Sequence, residues 1–152
     1  MIEKKTKHRK GLVQMTKFIR LDRKGEWKGK EHRSSFAGTA ITTADTKWED
    51  GVSCFELGAK ALDQLHSYWA GEVGLNISEF GDLQITIFEG EKVGREGAEG
   101  EFLAGCEKTV IETEAKPVME EVFELQDELY FEEISEEEYY NELQHIIKGV
   151  IA

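Results

Sequence analysis

Between Glu112 and Glu142 the chain places thirteen carboxylates against one cation, Lys116, and interleaves them with apolar residues throughout. An acidic segment without apolar residues stays solvated and disordered. Here Val118, Met119, Val122, Phe123, Leu125, Leu129, Tyr130, Phe131 and Ile134 recur among the acids. The segment is therefore expected to fold with one face buried and one face densely negative. Pro117 suits the first turn of a helix. Val118, Val122, Leu125 and Leu129 then fall at helical spacing, with Met119, Phe123 and Tyr130 widening the stripe; a strand through VFEL or ELYFEEI is the competing reading. Farther on, Ser135 and Glu138 form a capping box ahead of Tyr139, Tyr140, Leu143, Ile146 and Ile147, with Gly149 as the expected stop. Glu136, Glu137 and Glu138 in that first turn complement the helix macrodipole.

The remaining charge is divided unevenly. Residues 1–33 carry twelve Lys/Arg against four Asp/Glu, and residues 34–152 carry seven against twenty-seven. Such a split predicts an acidic body that attracts basic partners and repels nucleic acid, with a basic N-terminal arm as a candidate for nucleic-acid contact. At 152 residues and 39% hydrophobic content, one globular domain is expected. We place a flexible basic arm at residues 1–10 and a single domain at 11–152. Cys54 and Cys106 lie far apart with no CxxC pair, which suggests neither a zinc knuckle nor a disulfide scaffold and fits a reducing cytoplasm. The N-terminal MIEKKTKHRKGLVQM lacks the apolar run of a leader, and no stretch approaches a membrane span.

Ahead of the acidic segment, TKFIRL reads as a strand with Phe18 and Arg20 on one face and Ile19 and Leu21 on the other. Arg20 would then be shielded and require a carboxylate. DRKGEWKGKEHRSS reads as an exposed loop in which Trp27 is either tucked against its own domain or a binding anchor. FAGTAITT and VSCFEL read as two strands or as a strand and an irregular segment, with Cys54 a small buried hydrophobe. AKALDQLHSYWAG gives a helix face of Leu62, Leu65, Tyr68 and Trp69, closed by Gly71, with His66 beside it and partly buried. Residues 82–89 alternate most cleanly: Leu83, Ile85 and Ile87 oppose Gln84, Thr86 and Phe88. The glycine-rich EGEKVGREGAEGE carries too many carboxylates to cradle phosphate and reads as a hairpin connection rather than a calcium loop. Phe102–Thr113 returns as a strand, strongest at Val110 and Ile111, with Cys106 packed. The whole is an α+β domain, mainly antiparallel sheet with a central helix and an acidic helical C-terminal portion.

No motif fixes a reaction. Arg20, then Ser34 or Ser53, then Glu89-Gly90-Glu91 resembles the Arg, Ser, Glu-x-Glu order of arginine-type ADP-ribosyltransferases, although Ser-Thr-Ser is absent. That resemblance implies that Arg and Ser position a dinucleotide and that Glu91 acts on the ribose. His32, Cys54, His66 and Cys106 lack the close pairs that mark zinc sites. No cofactor and no metal is expected.

If the acidic segment were one helix, its carboxylates would recur about every 3.6 Å, close to the roughly 3.4 Å charge spacing of a DNA strand. The EEVFELQDELYFEEISEEE run and the compact, cysteine-poor body resemble the acidic single-domain inhibitors of phages and mobile elements, in particular anti-CRISPR proteins that block Cas9-type nucleases. That resemblance implies a non-enzymatic, cytoplasmic protein that occupies a nuclease's basic channel. Glu120, Glu121, Glu124, Asp127, Glu128, Glu132, Glu133, Glu136 and Glu137 would meet its Arg and Lys, with nearby aromatics as anchors. A small ADP-ribosyltransferase-like enzyme, a phage structural protein and an acidic adaptor are the alternatives.

Overall fold

The structure, a computed structural model, describes residues 15–33, 51–94 and 96–152. The described residues hold four strands: β1 (Thr16–Arg23), β2 (Val52–Glu56), β3 (Leu83–Val93) and β4 (Phe102–Glu114). Every pairing is antiparallel, and the order β1-β2-β4-β3 closes into a small barrel. Closure follows from burial on both faces of β1 and β3. Ile19, Leu21, Phe55, Leu83, Ile85 and Ile87 pack beneath the helices, while Phe18, Val52, Cys54, Phe88, Ala104 and Cys106 form a second, smaller core. Cys54 and Cys106 are thus the packed residues expected, and burial raises both thiol pKa values.

β3 and β4 pair from Gln84↔Glu114 to Val93↔Leu103, so the glycine-rich stretch is their hairpin connection. The ladder shifts register at Ile87/Phe88 and at Glu89/Gly90. A Cβ on Gly90 would lie 2.1 Å from the Gly105 carbonyl oxygen, so glycine is required there by backbone contact at the irregularity.

The short helix α1 (Ala61–His66) continues into a π-helical turn, Ser67–Glu72, and buries Leu62 and Leu65 as expected. A 3-10 turn, Ile77–Asp82, is capped by Asn76 and leads into β3. The acidic segment folds as α2 (Ala115–Tyr130) and α3 (Glu136–Ile151), so residues 118–130 are helix and not strand. Ser135 and Glu138 form the reciprocal cap. Gly149 does not end α3, which runs on to Ile151. Among the described residues, no helix is long and apolar enough to cross a membrane. The basic arm and the FAGTAITT strand lie outside the described residues.

The polar run after β1 is less open than its composition suggests. Asp22 and Arg23 complete β1, Gly29–Glu31 is a 3-10 turn, and Trp27 folds back onto the second core. Its ring stacks on Phe88 at 5.4 Å and its Nε1 donates to Thr109 Oγ1 at 2.8 Å, so Trp27 is a packing residue rather than a free anchor. Beneath it Arg20 meets its carboxylate. Its Nε donates to Asp22 Oδ1 and Oδ2 at 3.0 and 3.2 Å, and its Nη1 donates to the Ser53 main-chain oxygen. His32 Nδ1 accepts from the Lys28 N–H, which leaves Nε2 to donate toward Asp22 Oδ1 at 3.4 Å.

Arg20 and Asp22 are 2% and 6% exposed, so removing one partner strands a buried charge. Asp22→Ala is expected to cost about 3–5 kcal/mol of unfolding free energy, read from urea denaturation. His32 and His66 provide a pH signature. Burial lowers both imidazole pKa values, for His32 with the Arg20 charge adding to the effect. The unfolded chain takes up protons at these histidines near pH 6.5 while the fold resists them, so stability present above that pH is lost as the pH falls. The urea midpoint should drop between pH 7.5 and 5.5, and the His32→Gln/His66→Gln double variant should abolish the drop.

Candidate functional site: the acidic helical hairpin

Each acidic helix has a core stripe. Ala115, Met119 and Val122 are buried on α2, and Tyr139, Leu143 and Ile147 on α3. A polar node fixes both helices to α1: Tyr139 Oη donates to Asp63 Oδ1 at 2.6 Å, and Gln126 Nε2 donates to the same oxygen at 2.7 Å. Gln126 also bonds Tyr139 Oη. Burial and the bond to Asp63 raise the phenol pKa, keeping it a donor.

With that stripe inward, helical periodicity carries Glu120 and Glu124 to the opposite side of α2, Glu121 and the half-buried Glu128 to the flank that meets α3, and Asp127 to the other flank. Glu132 and Glu133 lie in the turn, and Glu136 and Glu137 open α3. The nine acids expected at a partner surface thus run from mid-α2 over the hairpin tip to the start of α3, on more than one face of the hairpin. They do not form one rod of charge. The chain folds back after Phe131 into two helices of 16 residues, each about 24 Å long, so a DNA-like linear cadence is replaced by a two-helix surface.

These carboxylates differ in what they do for the fold. Glu138 caps α3, its pKa lowered by bonds to Ser135, and Glu136 and Glu137 sit at the favourable helix end. Glu120 lies 3.5 Å from Lys116. Asp127, Glu128, Glu132 and Glu133 occupy the opposite situation. They crowd the C-terminal end of α2, whose last turn holds no basic residue and where the macrodipole is already negative. Burial keeps the His66 ring below its usual basicity, although the charges of Asp63 and Asp127 oppose the shift.

The turn itself is strained. Glu132 adopts φ 60, a left-handed conformation usually given to glycine or asparagine. Its N–H bonds the Leu129 oxygen at 3.1 Å and the Glu133 N–H bonds the Glu128 oxygen at 2.8 Å, the paired bonds that close a helix C-terminus. Beside it Tyr130 is 80% exposed and Phe131 66%. Tyr130 thus does not widen the buried stripe as expected: at the last position of α2, just after the core-packed Leu129, it presents itself edge-to-face with Phe131.

The other candidate chemistry is not assembled in the same way. Arg20 and Ser53 do meet, but through the buried main-chain oxygen of Ser53. Arg20 lies across from Thr86, and Glu91 is exposed five residues farther along β3, roughly 16 Å away at strand spacing. Ser34 lies outside the described residues. His32 and His66 belong to different cores from each other, and among the described residues no three His, Cys, Asp or Glu side chains gather at metal-binding spacing. Glu101 is fully buried in the β3–β4 connection, its Oε1 accepting from the Glu99 N–H at 2.9 Å.

No family model matches this chain, and neither does any curated protein or solved structure.

Glu132→Gly removes both the left-handed penalty and one misplaced charge. The penalty is about 1–2 kcal/mol for a residue with Cβ, partly offset by glycine's greater unfolded-state freedom. The variant should melt a few degrees higher than the wild type by circular dichroism; an unchanged or lower melting point would show that the turn carries no strain.

Proposed function

We propose that this protein is a non-enzymatic, cytoplasmic binding protein that sequesters a basic nucleic-acid-binding partner through the α2–α3 hairpin. The observation that carries the reading is the crowding of Asp127, Glu128, Glu132 and Glu133 at the negative end of α2, next to two exposed aromatic rings. Like charges there lower stability, by helix-dipole and mutual repulsion alike. A cationic partner reverses the sign of both effects. Exposed aromatics flanked by charge are what a well-packed interface uses as anchors, while the surrounding acids steer encounter. The resemblance to anti-CRISPR inhibitors makes a Cas9-type nuclease the first partner to test, its channel being basic by necessity.

The reading predicts capture that depends on salt. Immobilised protein should retain a Cas9-type nuclease at about 0.05 M salt, release most of it at about 0.5 M, and compete with target DNA. Reversing Glu120, Glu124 and Glu128 to Lys should weaken capture at least tenfold while leaving the circular dichroism spectrum unchanged. Capture indifferent to both salt and charge reversal would refute an electrostatic hairpin. No capture of this nuclease, with binding to other basic nucleic-acid-binding proteins retained, would remove the nuclease assignment alone.

A further inference from the structure

Two adjoining depressions of about 490 and 530 Å³ run along the outer junction of α2 and α3. They share Glu142 and His145 and so form one groove. Its apolar lining comes from Val118 and Leu125 on α2, Ile134 in the turn, and Ile146 and Val150 on α3. All five remain only half-buried. The carboxylates lining it are Glu121, Glu128, Glu138 and Glu142, and among the described residues no Lys or Arg lines it. On α3 the lining extends from Glu138 to Val150, about 18 Å at helical rise, enough for roughly three turns of another helix.

Gly149 adds an independent observation. It lies inside α3 with ordinary backbone dihedrals, and a Cβ built on it would meet nothing within 4 Å. A glycine within a helix destabilises it relative to alanine, and here neither the backbone nor packing against the described residues requires one. Glycine is of use at such a place where a second backbone approaches closely. Gly149 lines the groove.

We infer that the α2–α3 groove receives an amphipathic basic helix of the partner protein. The inference rests on the hairpin reading above and specifies how the partner is held: apolar side chains at helical spacing enter between Val118, Leu125, Ile146 and Val150, and flanking Lys or Arg meet the four glutamates. A ridge-into-groove fit between two helices and the helix-in-groove mode of peptide recognition share this geometry. Charge selects the occupant. A second copy of this chain, at net charge −12, would place acid against acid, and nucleic acid would place phosphate there.

The test uses the full chain and a fluorescent 18-residue peptide with Leu at i, i+3, i+4 and i+7 repeats and Lys or Arg elsewhere, compared with a scrambled peptide of identical composition. Fluorescence anisotropy should give micromolar binding for the ordered peptide and at least tenfold weaker binding for the scrambled one. Gly149→Leu, which favours the helix but fills the approach, should weaken binding at least tenfold, whereas Gly149→Ala should raise the melting temperature. Ile146→Lys provides a second lesion on the same groove and should also weaken binding. Equal affinity for both peptides, or no effect of Gly149→Leu and Ile146→Lys, would overturn the groove. So would peptide binding that appears only after Lys4, Lys5, Lys7, Arg9 and Lys10 are changed to Ser, because the protein's own arm would then be the occupant. If the ordered peptide fails to bind while salt-sensitive, charge-dependent capture of a basic protein persists, the groove is refuted and the hairpin reading stands; loss of both refutes both.

Discussion

The acidic hairpin is held in place by a three-residue node. Tyr139 is fully buried, and its hydroxyl converges with Gln126 on one oxygen of Asp63, so that α1, α2 and α3 meet at a single carboxylate. A carboxylate that accepts bonds from two neutral donors in a shielded place is satisfied without a cation. That matters here because cations are scarce throughout the C-terminal half. Helices this negative repel one another, and their apolar stripes alone would leave rotation and spacing loosely defined. The node fixes both helices to α1 by hydrogen bonding, so that holding the helices together needs no cation paired with the outward acids.

Once the hairpin is fixed, the carboxylates separate into two groups by physical consequence. Glu138 and its neighbours at the start of α3 stabilise that helix, through the cap and the macrodipole. Those at the end of α2 do the reverse, and the turn between them adds a left-handed glutamate. A chain selected for stability alone would place Lys or Arg in the last turn of α2 and Gly at position 132. Strain and like-charge crowding on the same few residues, beside Tyr130 and Phe131, is the kind of local departure that accompanies a working surface.

Much of the fold was legible because it depended on local pattern. The strict alternation through Leu83–Phe88, the Ser135–Glu138 cap and the helical recurrence of Met119 and Val122 each report on neighbours within a few residues. Barrel closure was not legible, because it depends on β1 pairing with both β2 and β3, and no residue of β1 announces two partners. Arg20 could be recognised as requiring a carboxylate from its place on a buried face. That the partner is Asp22, two positions on and on the same face, was obscured by the polar run that follows it. Likewise Tyr130 matched the apolar stripe by period alone, and only the position of the turn shows that it overshoots the core. The acids of the candidate surface could be named from sequence because they cluster within one short stretch, 120–137. The groove could not, since it requires knowing that α2 and α3 fold back on each other.

That folding back changes what the charge can do. Along a single helix, thirteen carboxylates would present a line comparable to a nucleic-acid strand, and a partner would meet them as a phosphate backbone. In the fold Glu112 and Glu114 end β4, and across the two antiparallel helices Glu121, Glu128, Glu138 and Glu142 flank half-buried Val118, Leu125, Ile146 and Val150. A phosphate mimic relies on charge at phosphate spacing, and the apolar surface between these helices adds nothing to that contact. A surface with both elements favours a protein ligand carrying both cationic and apolar side chains. The physical distinction is therefore between long-range attraction, which the acids supply to any basic molecule, and short-range fit, which only an amphipathic segment of protein can use.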